Sequence, residues 1–263
     1  MRVNFQTEHE PTGDWSADAI NLGERFCVRR FLRRLDEFVD FAKRAALPVH
    51  LLTPYYVRER DLDTLIEKIA AVAEHFAGVY VGDVGLARRL ADRNAVTYVG
   101  SVYNRDAAQL LHDEVGVRRL QMYPPRLASL AEVRAVLPVE IVVHGHIPIS
   151  ATPRCPVRSH LGNCDACEQV RQVSGGPAPL WQRGNTFYAG RKIITYGLVS
   201  SFVEMGLDSV VIETFALDEK QISEVSAIYH GEQPPPNDLV SGMFLDDAGA
   251  VLDSEPWFQR FRR

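Results

Sequence analysis

Residues 79–100 read VYVGDVGLARRLADRNAVTYVG. A β-branched and aromatic run is followed by a Gly82-Asp83 turn signal, a stretch of helical composition through residue 94, and a second apolar run. Both runs are near-continuously apolar rather than alternating, as parallel strands covered on both faces should be. Two such strands joined through a helix make a βαβ unit. The same rhythm continues outward in both directions. AINLG (19–23), VHLLT (49–53), RRLQMY (118–123), VEIVV (139–143) and SVVIE (209–213) read as further strands. Between them Phe31, Leu35, Phe38, Val39 and Ala42 recur at helical spacing, as do Leu62, Leu65, Ile66, Ile69, Ala73 and Phe76. Residues 105–115, 127–136, 195–206 and 218–229 read as further helices, the last opened by a capping box of Asp218 and Gln221. Seven strand candidates favour an α/β barrel over an open sheet. The short stretch before AINLG leaves little room for a strand–helix unit, so the completeness of that barrel stays open.

Length and composition agree with one domain of this kind. The chain has 263 residues, 46% hydrophobic and 24% charged, which excludes disordered and collagen-like classes. Barrels of about 250 residues commonly form one domain. The reading places a barrel-like domain at residues 1–230 and a Pro-rich loop with a C-terminal extension at 231–263. A net charge of −5 argues against bulk coating of nucleic acid. No apolar run approaches the ~20 residues of a membrane span. The opening MRVNFQTEHEPTGDW lacks the basic and apolar regions of a signal peptide. The expectation is a cytoplasmic protein whose cysteines are reduced or bound to metal.

Residues 144 to about 190 break the rhythm, with Gly, Pro, His and three of the four cysteines. A long irregular stretch after a strand is where α/β folds place function. Cys155, Cys164 and Cys167 fall within 13 residues, the last two as CxxC. Cys27 lies 128 positions before Cys155, just after AINLG. If both strands deliver their C-terminal ends to one barrel face, Cys27 can meet the other three. Four thiolates around one point suit tetrahedral zinc or an iron–sulfur cluster. The competing readings are unrelated thiols, or a CxxC redox dithiol that needs neither Cys155 nor Cys27. Arg25, Arg29, Arg30, Arg154 and Arg158 flank the cysteines and could offset the charge of an anionic centre. His144 and His146 alternate and so would face one side of a continued strand, as metal ligands, an acid/base pair or structural hydrogen-bonders. His160 is a further possible ligand. Asp83 and Glu213 end strands, where barrels put catalytic groups, although helix capping is the plainer reading of Asp83. The segment WQRGNTFYAGRKIITYG (181–197) could line an apolar pocket or simply pack. Gly82-Asp83-Val84-Gly85 and Ser174-Gly175-Gly176-Pro177 mean no more than turns. HExxH and GxSxG are absent, and no Ser/His/Asp set stands out.

ADAINLGERFCVRR (17–30), YVGDVGLARRL (80–90), VTYVGSVYNRDAAQLL (96–111), GVRRLQMYPP (116–125), HGHIPISATPRC (144–155) and GLDSVVIE (206–213) together resemble the collagenase-like peptidase family, peptidase U32. The resemblance runs from about residue 17 to 215. It implies a TIM-barrel-like fold and a [4Fe-4S] cluster on four cysteines. Many relatives carry a cysteine four positions after the His of the His-Gly pair, where this chain has Pro148, and Cys27 looks like its replacement. That arrangement resembles the UbiV-type branch, which works with a UbiU-type partner as a heterodimer in oxygen-independent hydroxylation during ubiquinone biosynthesis. On that resemblance Cys27, Cys155, Cys164 and Cys167 are the cluster ligands and a quinone precursor is the small-molecule partner. The alternatives are RNA base hydroxylation and a non-enzymatic, zinc-stabilised subunit; a peptidase has the least support.

Overall fold

The computed structural model describes residues 1–234 apart from 13–14, 93, 124–126, 153, 163, 165–166, 168, 174–179 and 191. Eight parallel strands close on one another: β1 (Arg2–Thr7), β2 (Ala19–Gly23), β3 (Val49–Leu52), β4 (Gly78–Val81), β5 (Val96–Val99), β6 (Arg119–Met122), β7 (Val139–Gly145) and β13 (Ser209–Glu213). β7 pairs with both β6 and β13, and β13 returns to β1, so the ring has no open edge. This is the topology of a TIM barrel. The barrel is therefore complete in strands, which settles the question its opening raised.

The eighth strand is β1, RVNFQT, which does not read as a buried strand because its apolar residues alternate with polar ones. Val3 and Phe5 face the outer layer. Asn4 and Gln6 face inward, where Asn4 Nδ2 donates to Glu140 (3.1 Å) and Gln6 Oε1 accepts from Gln121 (2.9 Å). The shortness of the opening shows elsewhere: among the described residues no helix joins β1 to β2. Trp15 from that connection packs on Phe5, with ring centroids 5.5 Å apart, and covers β1 as a helix would.

The other strands alternate with α1 (Val28–Arg44), α2 (Glu59–Val72), α3 (Val84–Ala91), α4 (Arg105–Leu110), α5 (Leu127–Arg134), α7 (Val199–Glu204) and α8 (Glu219–His230). α4 runs on through one wide turn, Leu111–Val115, to Gly116 in the left-handed region. Asp83 caps α3 by accepting from Leu86 N (2.9 Å), and Asp218 with Gln221 forms a capping box on α8. The amphipathic pattern of α1 buries Phe31, Leu35, Phe38 and Val39 against the barrel. Burial of this outer shell, at about 25 cal/mol per Å² of apolar surface, is the main driving force for closure. Among the described residues no helix is long and apolar enough to cross a membrane.

Residues 146–198 leave the C-terminal mouth of β7 and return as α7. Their described residues hold more strand and helix than the sequence suggests. β8 (Pro148–Ala151), β9 (Val170–Val173), β10 (Leu180–Arg183) and β11 (Thr186–Ala189) form an antiparallel sheet in the order β8-β11-β10-β9. α6 (Pro156–Leu161) lies between β8 and β9, and β12 (Ile193–Ile194) pairs antiparallel with the end of β7. These strands run four residues or fewer, β9 is mostly exposed and β8 half so, and none is long enough to show a sustained apolar run or alternation. Ser174–Pro177 and residues 235–263, most of the extension assigned from sequence, lie outside the described residues.

Gly145 ends β7 at φ +108, and a Cβ there would lie 2.1 Å from the Glu213 carbonyl oxygen. Gly145→Ala therefore has both a strained backbone and a collision with β13. It should destabilise the protein by about 2 kcal/mol or more in urea unfolding. An unchanged midpoint would show that β7 and β13 are not this close.

Candidate functional site

The C-terminal mouth of the barrel gathers the charged and sulfur-bearing residues. Cys27 is the last extended residue before α1, and Cys155 holds the same place before α6, with Pro156 opening that helix. Neither makes a side-chain capping bond. Cys164 and Cys167 follow, and Cys167 N donates to Cys164 O at 3.1 Å. Cys167 is buried, and its thiol is pushed up to about 12 by that burial, by the charge and hydrogen bond of Cys155, and by the charge of Cys164. Cys155 and Cys164 therefore lie close enough to Cys167 to act on its thiol. Burial and two neighbouring sulfurs both favour the neutral thiol at Cys167.

The turn before Cys27 is tied to the insertion through neighbouring residues. The Asn185 amide Nδ2 donates to Phe26 O (2.9 Å) and to Thr152 O (3.1 Å), tying the turn before Cys27 to the approach to Cys155. Arg30, one turn into α1, reaches the Cys167 carbonyl at 3.5 Å. Burial raises the Cys27 thiol, while the backbone amides of Arg30 and Arg29 pull it the other way. Among the described residues no three His, Cys, Asp or Glu side chains surround a point as a single ion requires. Zinc draws each sulfur to about 2.3 Å from one centre.

Beneath the cysteines lies a buried ionic network. Glu8, at the exit of β1, is held by Arg183 at 2.8 Å, Arg30 at 3.1 Å and Arg25 at 3.7 Å, and accepts from the Tyr188 hydroxyl at 3.2 Å. Burial would raise the Glu8 carboxyl, but Arg183, Arg30 and Arg25 outweigh it and bring it down to about 2. Arg25 also forks onto Glu213 (2.7 and 3.1 Å), which accepts from Gln6 as well. Glu24 pairs with Arg30 and accepts from Phe26 N at 3.0 Å; its carboxyl is raised by burial and by Glu8. Three carboxylates thus face three guanidinium groups, none more than 6% exposed.

This network redistributes the roles expected of the arginines. Arg25 belongs to Glu213, and Arg30 serves Glu24 and Glu8 while touching the cysteine loop. Arg29, Arg154 and Arg158 are exposed, as is His160. The two strand-end histidines do not share an environment. His144 lies against Tyr196 and Tyr229, with centroids at 5.6 and 6.2 Å, and burial holds its ring neutral, down to about 3. His146 contacts Ala189 O through Nδ1 at 2.7 Å, beside Trp181 and Phe215, and is likewise lowered by burial. β7 ends at Gly145, whose φ is +108, so His146 leaves the strand and the two do not continue its alternation. Both histidines read as packing groups. Asp83 is a helix cap, and Glu213 an ion-pair partner.

A cavity of about 460 Å³ opens beside the network, between the exits of β1 and β13 and the start of α8. Glu8, Arg183 and Glu213 form its polar wall, and Trp15, Phe215 and Leu217 its apolar one. Among the described residues of the segment 181–197 only Arg183 reaches it; Tyr188 supports it from behind, stacked on Phe215 at 3.7 Å. Glu8, Glu24, Arg183 and Asn185 are site residues that the sequence does not single out. The one signal is Glu24-Arg25, a charged pair at a strand end.

Residues 14–232 match the family model described as Peptidase family U32. No curated protein matches the chain. Among solved structures, the U32 peptidase Mk0906 is similar at 17% identity over 81% of this chain and 92% of that one, with a TM-score of 0.47. A thiamine phosphate pyrophosphorylase from Pyrococcus furiosus is similar at 12% identity over 88% and 96%, with a TM-score of 0.48.

Glu8→Gln should cost about 3–5 kcal/mol at neutral pH, because it strands buried guanidinium groups. Glu8 binds fewer protons in the folded chain than in the unfolded one, so its stabilisation is present above pH 4.5 and fades as the pH falls toward 2. In urea titrations the gap between wild type and Glu8→Gln should narrow through that window. A constant gap would mean that the carboxylate is not held this way.

Proposed function

The chain belongs to peptidase family U32, and on that basis we propose that it is an iron–sulfur protein acting in oxygen-independent hydroxylation of a ubiquinone precursor. In this reading Cys27, Cys155, Cys164 and Cys167 hold a [4Fe-4S] cluster, and a homologous UbiU-type subunit is the partner. What supports it is that Asn185 ties the turn before Cys27 to the approach to Cys155, while Arg30 of α1 reaches the Cys167 carbonyl. Peptide hydrolysis has no comparable support. HExxH and GxSxG are absent from the sequence, and His144 and His146 are engaged in packing.

When bound, the cluster would supply one-electron chemistry. The chain's own residues do the rest. Arg25 and Glu213 close the barrel beneath the site, which limits entry of water from below. Trp15 and Phe215 offer apolar faces to a ring, and Thr12 and His9 on the rim can meet its polar substituents. Arg30 joins the two halves, since it bonds the Cys167 carbonyl and also Glu8, which lines the cavity.

Replacement of any one of the four cysteines by Ala should abolish the four-iron electron paramagnetic resonance signal of the reduced, anaerobically prepared protein. A full signal from Cys27→Ala would remove Cys27 from the ligand set. Incubation with the partner, a reductant, an oxygen-atom donor and a quinone precursor without molecular oxygen should give hydroxylated product. Hydroxylation of RNA instead would overturn the substrate assignment.

A further inference from the structure

Cys27 is separated from the other cysteines by most of the barrel, so a noncovalent contact must set its position relative to the insertion. The turn between β10 and β11 makes that contact. Its central residues are Gly184 and Asn185. Gly184 takes φ +58, and no positive φ falls on Asn185. That pattern, with Gly first, is the II′ hairpin turn. Gly184 thus satisfies the turn, which needs no Asn at the second place.

The Asn185 side chain works outside its own hairpin. Nδ2 donates to Phe26 O (2.9 Å), one residue before Cys27, and to Thr152 O (3.1 Å), three residues before Cys155. The Asn185 carbonyl accepts from Thr152 N at 2.9 Å, and the Thr152 hydroxyl donates to Arg154 O at 2.8 Å, next to Cys155. Gly184 backs onto the third segment: a Cβ there would lie 3.8 Å from Cys167 O and 3.7 Å from Arg30 Nη1. One two-residue turn therefore touches the segments of Cys27, Cys155 and Cys167.

We propose that Asn185 is a positioning residue that holds the Cys27 turn in place against the three local cysteines. Both carbonyls it meets are acceptors, so the contact requires a donor. Aspartate in the same place supplies none, and alanine removes the group. The inference rests on the ligand set proposed above, and it concerns which residue completes that set.

The test uses Asn185→Ala and Asn185→Asp in the full chain. In metal-free, reduced protein, dibromobimane should bridge Cys27 to one of the other three cysteines in the wild type, as read by peptide mapping. Both variants should lose at least about 10-fold of that bridge, the scale on which partners of ligands act. Bridges among Cys155, Cys164 and Cys167 should persist and report that the insertion remains folded. In iron-loaded protein both variants should shift from a four-iron to a three-iron resonance signature. Wild-type bridging yields in both variants, or an unchanged four-iron signature, would overturn the inference. A wild type that binds no iron, with bridging still lost in the variants, would overturn the cluster and leave the positioning role standing.

Discussion

Everything at the barrel mouth depends on burying six charges in balance. Glu8, Glu24 and Glu213 face Arg25, Arg30 and Arg183, and each residue comes from a different part of the chain or performs a different join. Glu8 extends β1, Glu24 to Arg30 lead into α1, Glu213 ends β13, and Arg183 belongs to the inserted sheet. Unpaired, any of them would bear a desolvation penalty of several kcal/mol. Paired, they fix the insertion on the barrel, because Arg183 finds its carboxylate only there. The tyrosine and phenylalanine rings around them, Tyr188 stacked on Phe215 and Phe26 edge-on to Tyr55, exclude the water that would otherwise weaken the pairs.

This constraint links architecture to function. Arg30 contacts the Cys167 loop on one side and Glu8 on the other, and Glu8 forms part of the cavity wall. The sulfur site and the cavity are thus two sides of one ionic layer rather than independent features. A group bound at the cysteines and a ring bound in the cavity would be held at a separation set by guanidinium geometry. That placement gives the strand-end residues supporting roles: Glu213 orients Arg25, and Gly145 lets β7 approach Glu213.

Much of this was legible in local sequence, and the reason is physical. The outer face of each strand packs on helices, so VYVGD, VEIVV and SVVIE show their burial directly, and Asp83 and Asp218 announce the helices they cap. The cysteines stand out in the sequence because thiols are rare and three fall together. β1 was not, because its inner face serves a polar barrel interior and its alternation looks solvent-exposed. The inserted strands were not, because four residues with exposed edges carry no period. The ionic network was least legible of all. Glu8 meets Arg183 across most of the chain, and Asn185 acts through carbonyls, which every residue possesses. The strand's end at Gly145, with its positive φ, likewise separates His144 from His146 although their spacing would align them.

The central claim is that the four cysteines hold a redox cluster over a structural barrel. Iron, acid-labile sulfide and zinc analysis of the full chain, purified without oxygen, tests it most directly. About four iron and four sulfide per chain are expected, with broad visible absorption that bleaches on reduction. Stoichiometric zinc without iron would contradict the claim and make the cysteines a structural metal centre.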